Sequence, residues 1–429
     1  MKTYLVGGAV RDQLLGLTVK DKDWVVVGGS PEAMLNQGFK QVGATFPVFL
    51  HPDTKEEYAL ARTEQKQGTG YKGFRCFFSA DVSLEQDLKR RDLTINAMAR
   101  DHNGTIIDPY GGQKDLAAKR LRHVSPAFAE DPLRILRVAR FAARFHDLGF
   151  TIADETIEMM QRIVASGEVA QLTPERVWQE TERALAETRP GIYFQVLRSI
   201  GALAVLMPEL DVLFGVPQPE QYHPEIDSGR HSLMALEIAC QLTADTKVRF
   251  AALVHDLGKG LTPKECLPKH IGHERAGVKP IQAMCQRLRI PNEFRDMACL
   301  ASEYHLIIHR AFELTPKTIL KVIKNCHALR RPRRFGQLLM VCEADARGRA
   351  GMEKNRYPQS TFFANILDTL AKVTIRDLIE KGLTGSQLGQ AIHARQIRQI
   401  KEAVANQRLT RSGSEHETIE NSEYSEAKP

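Results

Sequence analysis

Along the first 125 residues, apolar positions come in short runs broken by turn residues; from Asp131 onward they recur at helical spacing. The first pattern predicts an α+β head with a mixed sheet and helices, the second an all-α remainder. Leu5-Val6 reads as a strand, Gly7-Gly8 as a tight turn, and Ala9 to Leu15 as the opening turns of a helix. Trp24-Val25-Val26-Val27 is a second strand stopped by Gly28-Gly29, after which Ser30 caps and Pro31 opens a helix. Asn103-Gly104, between Ala97-Met98-Ala99-Arg100 and Thr105-Ile106-Ile107, predicts a hairpin. Gly215 to Gly229, with Pro217, Pro219 and Pro224, reads as a connecting loop. Thr410 to Pro429 is rich in Ser and Glu, with Ile419 and Tyr424 as its larger apolar groups, and is expected to be disordered. The expected segments are 1–125, 126–215, 228–350, 351–409 and 410–429.

Two groupings carry chemistry. Glycines without Cβ let backbone N–H groups approach a polyphosphate, and a helix N-terminus favours negative charge there. Asp21 and Asp23 are two apart on a strand and so share one face. Two hard carboxylates opposite a phosphate cradle suit Mg²⁺. Further along, Asp131-Pro132 starts a helix on which Arg134, Arg137, Arg140 and Arg144 line one side, with Ile135, Val138, Ala142 and Phe145 opposite. No acid interleaves that stripe, so the four arginines repel one another unless they meet an anion.

Gly-Gly-x-Val-Arg-Asp-x-Leu-Leu-Gly from Gly7 to Gly16, followed by Asp21-x-Asp23, resembles the head of the class II tRNA nucleotidyltransferases, the CCA-adding enzymes and their bacterial poly(A) polymerase relatives. The resemblance continues through Arg90-Arg91-Asp92-Leu93-Thr94-Ile95-Asn96-Ala97-Met98 and Glu130-Asp131-Pro132-Leu133-Arg134-Ile135-Leu136-Arg137. It implies a polymerase-β-like head that adds CTP- and ATP-derived nucleotides to the 3′ end of tRNA, with Asp21 and Asp23 as catalytic Mg²⁺ ligands. Gly8 and Arg11 then hold the triphosphate and Arg91 reaches the nucleotide, while Asp92 and Asn96 orient it or contact the sugar. Adjacent Arg90 and Arg91 diverge by about 100° if helical and need not share a role. Glu57 is a candidate third acid, against the plainer reading of a solvated strand-edge carboxylate.

In this family pattern Asp131 and Arg134 act as a protein template for the base. Cytosine and adenine both present an amine beside an unprotonated ring nitrogen; a carboxylate accepts from one while a guanidinium donates to the other. Guanine and uracil reverse that order. Arg137 and Arg140 neutralise phosphate or brace the base, and the 126–215 segment becomes a neck with an RNA-binding surface.

Val248-Arg249-Phe250-Ala251-Ala252-Leu253-Val254-His255-Asp256-Leu257-Gly258-Lys259-Gly260 is an apolar run ending in His-Asp that resembles the HD phosphohydrolases. Taken with His231 and Asp345, it implies a metal centre of His231, His255, Asp256 and Asp345 within 228–350; His255 and Asp256 are its catalytic pair. His273 and His305 are further candidates that gate substrate or contact RNA. Imidazoles mixed with carboxylates suit a divalent transition metal such as Ni²⁺, Mn²⁺ or Co²⁺ better than Mg²⁺. Such a metal acidifies bound water for attack on a phosphoester, a phosphatase or phosphodiesterase chemistry.

A net charge of +7 over 429 residues is compatible with a polyanionic partner, and Lys89-Arg90-Arg91, Lys119-Arg120-Leu121-Arg122-His123 and Arg330-Arg331-Pro332-Arg333-Arg334 concentrate it. The last cluster is a candidate RNA contact. No apolar run reaches membrane-spanning length, and seven scattered cysteines fit a reducing cytoplasm. Cys76, Cys240, Cys285 and Cys342 sit among apolar neighbours as expected core filler. A monomer or homodimer is expected. The nearest rival is a poly(A) polymerase, against which the acidic C-terminal end and the full His/Asp series both argue.

Overall fold

The computed structural model describes residues 1–42, 48–66 and 74–423. It forms two compact units, Met1–Asp211 with Arg287–Ile290, and Val212–Gln286 with Pro291–Pro429. The first unit contains strands β1 (Lys2–Val6), β2 (Asp23–Val27), β3 (Lys40–Val42), β4 (Val48–Leu50), β5 (Glu57–Leu60), β6 (Arg62–Lys66), β7 (Phe74–Phe78), β8 (Ala99–Arg100), β9 (Ile106–Ile107), β10 (Arg120–Leu121) and β11 (Thr151–Ile152). Its helices are α1 (Gly8–Leu14), α2 (Pro31–Asn36), α3 (Leu84–Lys89), α4 (Gly112–Ala117), α5 (Leu133–Phe145), α6 (Asp154–Ala165), α7 (Pro174–Ala186), α8 (Pro190–Ser199), α9 (Ala202–Leu206) and α10 (Pro208–Asp211).

Seven strands form the main sheet in the order β3-β4-β5-β2-β1-β8-β9. The central strand β2 runs antiparallel to β1 and parallel to β5. Its alternation explains the layering: Val25 packs with Val6, Leu88, Ala97 and Ala99 on one face, and Val26 with Met34, Phe49 and Leu60 on the other. Ser30 Oγ accepts from Ala33 N at the start of α2, and β8 and β9 form the hairpin expected at Asn103-Gly104. The short parallel pair of β10 with β11 places a strand beyond Asp131, where helix alone was expected. Main-chain pairing across two residues each carries too short an apolar pattern to read.

The second unit is helical among its described residues: α11 (Ser228–Leu242), α12 (Thr246–Val254), α13 (His273–Ala276), α14 (Val278–Arg287), α15 (Asn292–His309), α16 (Pro316–Asn325), α17 (Pro332–Arg347), α18 (Pro358–Ala371), α19 (Arg376–Glu380) and α20 (Gly385–Glu423). Helices α11, α12, α15 and α17 pack against one another, and α16 and α18 pack against α20. The α20 backbone continues to Glu423, into the stretch expected to be disordered, and residues 424–429 lie outside the described residues. Cys285 and Cys342 are buried, Cys240 is half-buried, and the Cys76 side chain lies outside the described residues. No described helix is long and apolar enough to cross a membrane.

Candidate active sites

A cleft of about 1220 Å³ in the first unit is lined by Gly8, Arg11, Asp21, Asp23, Glu57, Arg91, Asp131, Arg134, Arg137 and Arg140, among others. The carboxylates enter it at the start of β2, where both are exposed, and the register sets Asp23 directly beside Glu57 of β5. Although its surface is exposed, desolvation by the surrounding cleft and the neighbouring Asp21 raise the Asp23 carboxyl above its ordinary range, against the pull of Arg91. A trio of hard oxygen donors facing a cationic wall fits a divalent ion such as Mg²⁺.

Opposite them, the double-glycine turn has a steric reason. Gly7 has φ +67°, and a Cβ there would fall 2.9 Å from Arg91 Nη1. Arg11 then roots the network behind the turn. Its Nε donates to Asp12 Oδ1 at 2.8 Å, its Nη1 to Asn96 Oδ1 at 2.5 Å, and its guanidinium lies 5.1 and 5.0 Å from the Phe141 and Phe145 ring centres. Asn96 Nδ2 donates to Asp92 Oδ1 and Arg137 Nε to Asp92 Oδ2, at 3.0 and 2.7 Å. Burial opposes charge on Asp92, yet Arg137 and these hydrogen bonds hold its carboxyl well below the usual range. Asp92 and Asn96 therefore orient arginines in this structure.

The arginine stripe of α5 meets anions belonging to the protein itself. Arg137 bonds Asp92, Arg140 bonds Glu180 at 2.8 Å, and Arg144 bonds Asp12 at 3.0 Å. Carboxylates distant in sequence thus supply the counter-charge for these three arginines without any ligand. Arg90 and Arg91, expected to diverge, both reach Asp87, at 2.7 and 3.2 Å, because they stand three and four residues beyond it, the two spacings that bring side chains together on a helical face. Arg134 is buried and donates to the Ala127 and Arg90 carbonyls at 2.6 Å each. Asp131 accepts from Leu133 N at 3.1 Å, and its other oxygen pairs with Arg176 of α7 at 2.9 Å. A guanidinium has five N–H donors and a carboxylate about four lone pairs, so the bonds just named do not by themselves saturate either group.

The second unit buries a cluster of imidazoles and carboxylates. His231 on α11, His255 and Asp256 just after α12, and Asp345 on α17 come together, each at most 2% exposed. His231 Nε2 lies 3.1 Å from Asp345 Oδ1 and 3.7 Å from Asp256 Oδ2, and His255 Nε2 lies 3.2 Å from Asp256 Oδ2. Asp256 turns its other oxygen to His273 and His305, 3.2 and 3.7 Å away. Two glycines allow this convergence: a Cβ on Gly258 would overlap the His273 carbonyl, and one on Gly348 would fall 2.6 Å from Ala235 Cα.

His255 Nε2 and Asp256 Oδ1 are buried without a hydrogen-bond partner, an arrangement that suits an ion between the ligands. Burial alone disfavours a charged His255, but Asp256 and Asp345 drive its pKa up to about 10. His255 with Lys259 holds Asp256, and His255 with His309 holds Asp345, well below the usual carboxylate range against the opposing effect of burial. Imidazole Nδ1 atoms bond main-chain oxygens, His255 to Ala252 and His273 to His270, leaving each Nε2 directed at the carboxylates.

Sequence reasoning missed several contributors. The loop read as a linker supplies Glu225, whose Oε1 lies 2.9 Å from His223 Nδ1 and 3.0 Å from His231 Nδ1. His309 Nε2 lies 2.6 Å from Asp345 Oδ2, and its i, i+4 spacing from His305 was a readable signal. Asp87 carried the same kind of signal, three and four residues before Arg90 and Arg91, whereas nothing local tied Glu180 to Arg140 or Asp12 to Arg144.

The poly A polymerase head domain model matches residues 3–122, the model for a probable RNA and SrmB-binding site of polymerase A matches 149–214, and the HD domain model matches 229–333. The multifunctional CCA protein of Hahella chejuensis is 59% identical over 94% of this chain and 95% of its own length. That of Thioalkalivibrio sulfidiphilus is 58% identical over 94% and 99%. The Thermotoga maritima CCA-adding enzyme complexed with tRNA is 19% identical, with a TM-score of 0.60 over 94% of this chain and 91% of that one, a likeness of fold. On identities this high across nearly its whole length, the chain belongs to the family of multifunctional CCA proteins.

Proposed function

We propose that this chain builds and repairs the 3′-terminal C-C-A of tRNA from CTP and ATP without a nucleic-acid template, and that its second unit hydrolyses phosphoesters. The observation carrying the first activity is the single cleft that holds Asp21 and Asp23 together with Asp131 and Arg134. Residues 1–125 supply the transfer site, 126–215 the base-reading helix and RNA surface, 228–350 the hydrolytic site and 351–409 a helical tail. Asp21 and Asp23, with Glu57 beside them, hold Mg²⁺. When bound there it acidifies the attacking 3′-hydroxyl and offsets charge on the leaving pyrophosphate.

Gly8 and Arg11 seat the triphosphate, joined by Arg91, Arg137 and Arg140. Asp131 accepts from the exocyclic amine of cytosine or adenine and Arg134 donates to the neighbouring ring nitrogen. Against guanine or uracil both groups face the wrong partner, a mismatch costing about 1–3 kcal/mol for each unsatisfied group. The ribose oxygen forms a bond to the α-phosphorus, the bond to pyrophosphate breaks, and the hydroxyl proton leaves to solvent. With tRNA ending at the discriminator base, CTP alone should add two residues and stop, and ATP alone should add none. Repeated addition from ATP alone would favour the poly(A) polymerase reading.

In the second unit, His231, His255, Asp256 and Asp345 would hold a transition metal, Ni²⁺, Mn²⁺ or Co²⁺, and His273 and His305, facing the other oxygen of Asp256, are further candidate ligands. Bound metal lowers the pKa of a coordinated water. Hydrolysis of a cyclic phosphodiester forms one P–O bond from water and breaks one to the ribose, whose oxygen takes the water's proton. Glu225 fixes His231 with Nδ1 protonated and Nε2 free to ligate, a task shared with the Gly348 carbonyl at 3.1 Å. Glu225→Gln should weaken Mn²⁺ binding by about tenfold, the low end for such outer partners because that carbonyl remains. Titration calorimetry on the full chain measures it, and unchanged affinity would remove Glu225 from the site.

A further inference from the structure

Between Glu313 and Glu343 the chain has no acidic residue, yet it carries Lys317, Lys321, Lys324, Arg330, Arg331, Arg333 and Arg334. All but the half-buried Arg334 are exposed. The carboxylates bounding this stretch are engaged elsewhere, Glu313 by Arg310 and Glu343 by Arg347. None of the seven cations forms an ion pair among the described residues, and Lys324 Nζ makes a hydrogen bond to His393 Nδ1 at 3.0 Å. Lys317, Lys321 and Lys324 share one side of α16, where like charges at helical spacing destabilise. Arg331 and Arg333 flank the start of α17, the end of a helix dipole that disfavours cations.

The face is also continuous with the hydrolytic site. Lys321, with Thr318, Val322 and Asn325 of the same helix, lines the cavity of about 1150 Å³ that contains Asp256, His273, His305 and Asp345. We infer that the exposed side of α16 and the turn into α17 form an RNA-binding track that delivers a strand's 3′ end to the metal cluster. The track rests on the phosphohydrolase reading of that cavity and narrows its substrate from free nucleotides to RNA ends. Uncompensated cations leading to a phosphoester site fit a polyanion whose terminus is the reacting group, and counterion release rewards each phosphate contact.

The test uses Lys317→Gln/Lys324→Gln/Arg331→Gln, none of which lines the cavity. Two probes share a 2′,3′-cyclic phosphate end, one an oligoribonucleotide and one a mononucleotide. The variant should raise KM for the oligonucleotide about tenfold and lower its log–log salt dependence by about two, at about 0.7 per lost single-strand contact. The kcat for the oligonucleotide and both constants for the mononucleotide should stay unchanged. An unchanged oligonucleotide KM overturns the track, as does an equal loss in tRNA addition, which would assign these cations to the other reaction. Failure of the wild type to hydrolyse the mononucleotide instead overturns the phosphohydrolase reading beneath it.

Discussion

Asp21→Asn/Asp23→Asn should lower C and A addition by about a thousandfold while leaving phosphoester hydrolysis at the wild-type rate. Both side chains are exposed at the start of β2, so the isosteric amides disturb no buried contact. What they remove is charge. Asp23 stands beside Glu57 and across a cleft from Arg11, Arg91 and Arg137, and two neutral amides leave a single carboxylate to hold a divalent ion. Loss of metal-assisted stabilisation is worth several kcal/mol, and about 4 kcal/mol is a factor of a thousand in rate. Primer extension with a tRNA lacking its terminal residues, run beside thermal unfolding, measures both halves. A variant that still adds CMP at more than a tenth of the normal rate would exclude these carboxylates as the metal ligands.

The parts of this site legible in the sequence were those in which chemistry is local. The Gly7-Gly8 turn, the helix after it and the Asp21, Asp23 pair lie within seventeen residues, Gly7 to Asp23, and follow from turn geometry and strand alternation. The residues that tune the site were illegible because they act across the fold. Arg144 meets Asp12 from 132 positions away, and Arg140 meets Glu180 from 40. No period marks such a pair. Four aligned arginines require counter-charge, but their spacing alone does not distinguish a phosphate from Glu180.

The helical unit gives a similar lesson from its loops. Proline spacing marked 215–229 as irregular, which holds as far as Asp227, the cap of α11, with a bridge between Pro217 and Asp227. Irregular did not mean inert: that loop brings Glu225 behind His231 and Gln218 onto Lys259. His255-Asp256 was legible as a motif, whereas the way Asp256 faces His231 and His255 with one oxygen, and His273 and His305 with the other, depends on four separate elements.

That shared carboxylate makes the reciprocal experiment demanding. Asp256→Asn would remove the acid that pairs with Lys259 Nζ at 2.6 Å, leaving a buried ammonium against a neutral amide. Removing one partner of a buried pair costs about 3–5 kcal/mol, so lost hydrolysis would be confounded with lost folding. His255→Gln avoids this: it keeps the Asp256–Lys259 pair and removes the imidazole nitrogen that lacks a hydrogen-bond partner. Hydrolysis of a cyclic nucleotide should then fall by about a thousandfold, the same scale of lost metal assistance as in the first unit. Mn²⁺ binding should weaken in parallel, and addition of C and A by the same preparation should be unchanged. Equal loss of both activities with an unaltered melting curve would show that the two sites are not separate catalysts, since no other outcome couples a ligand of one cluster to chemistry at the other.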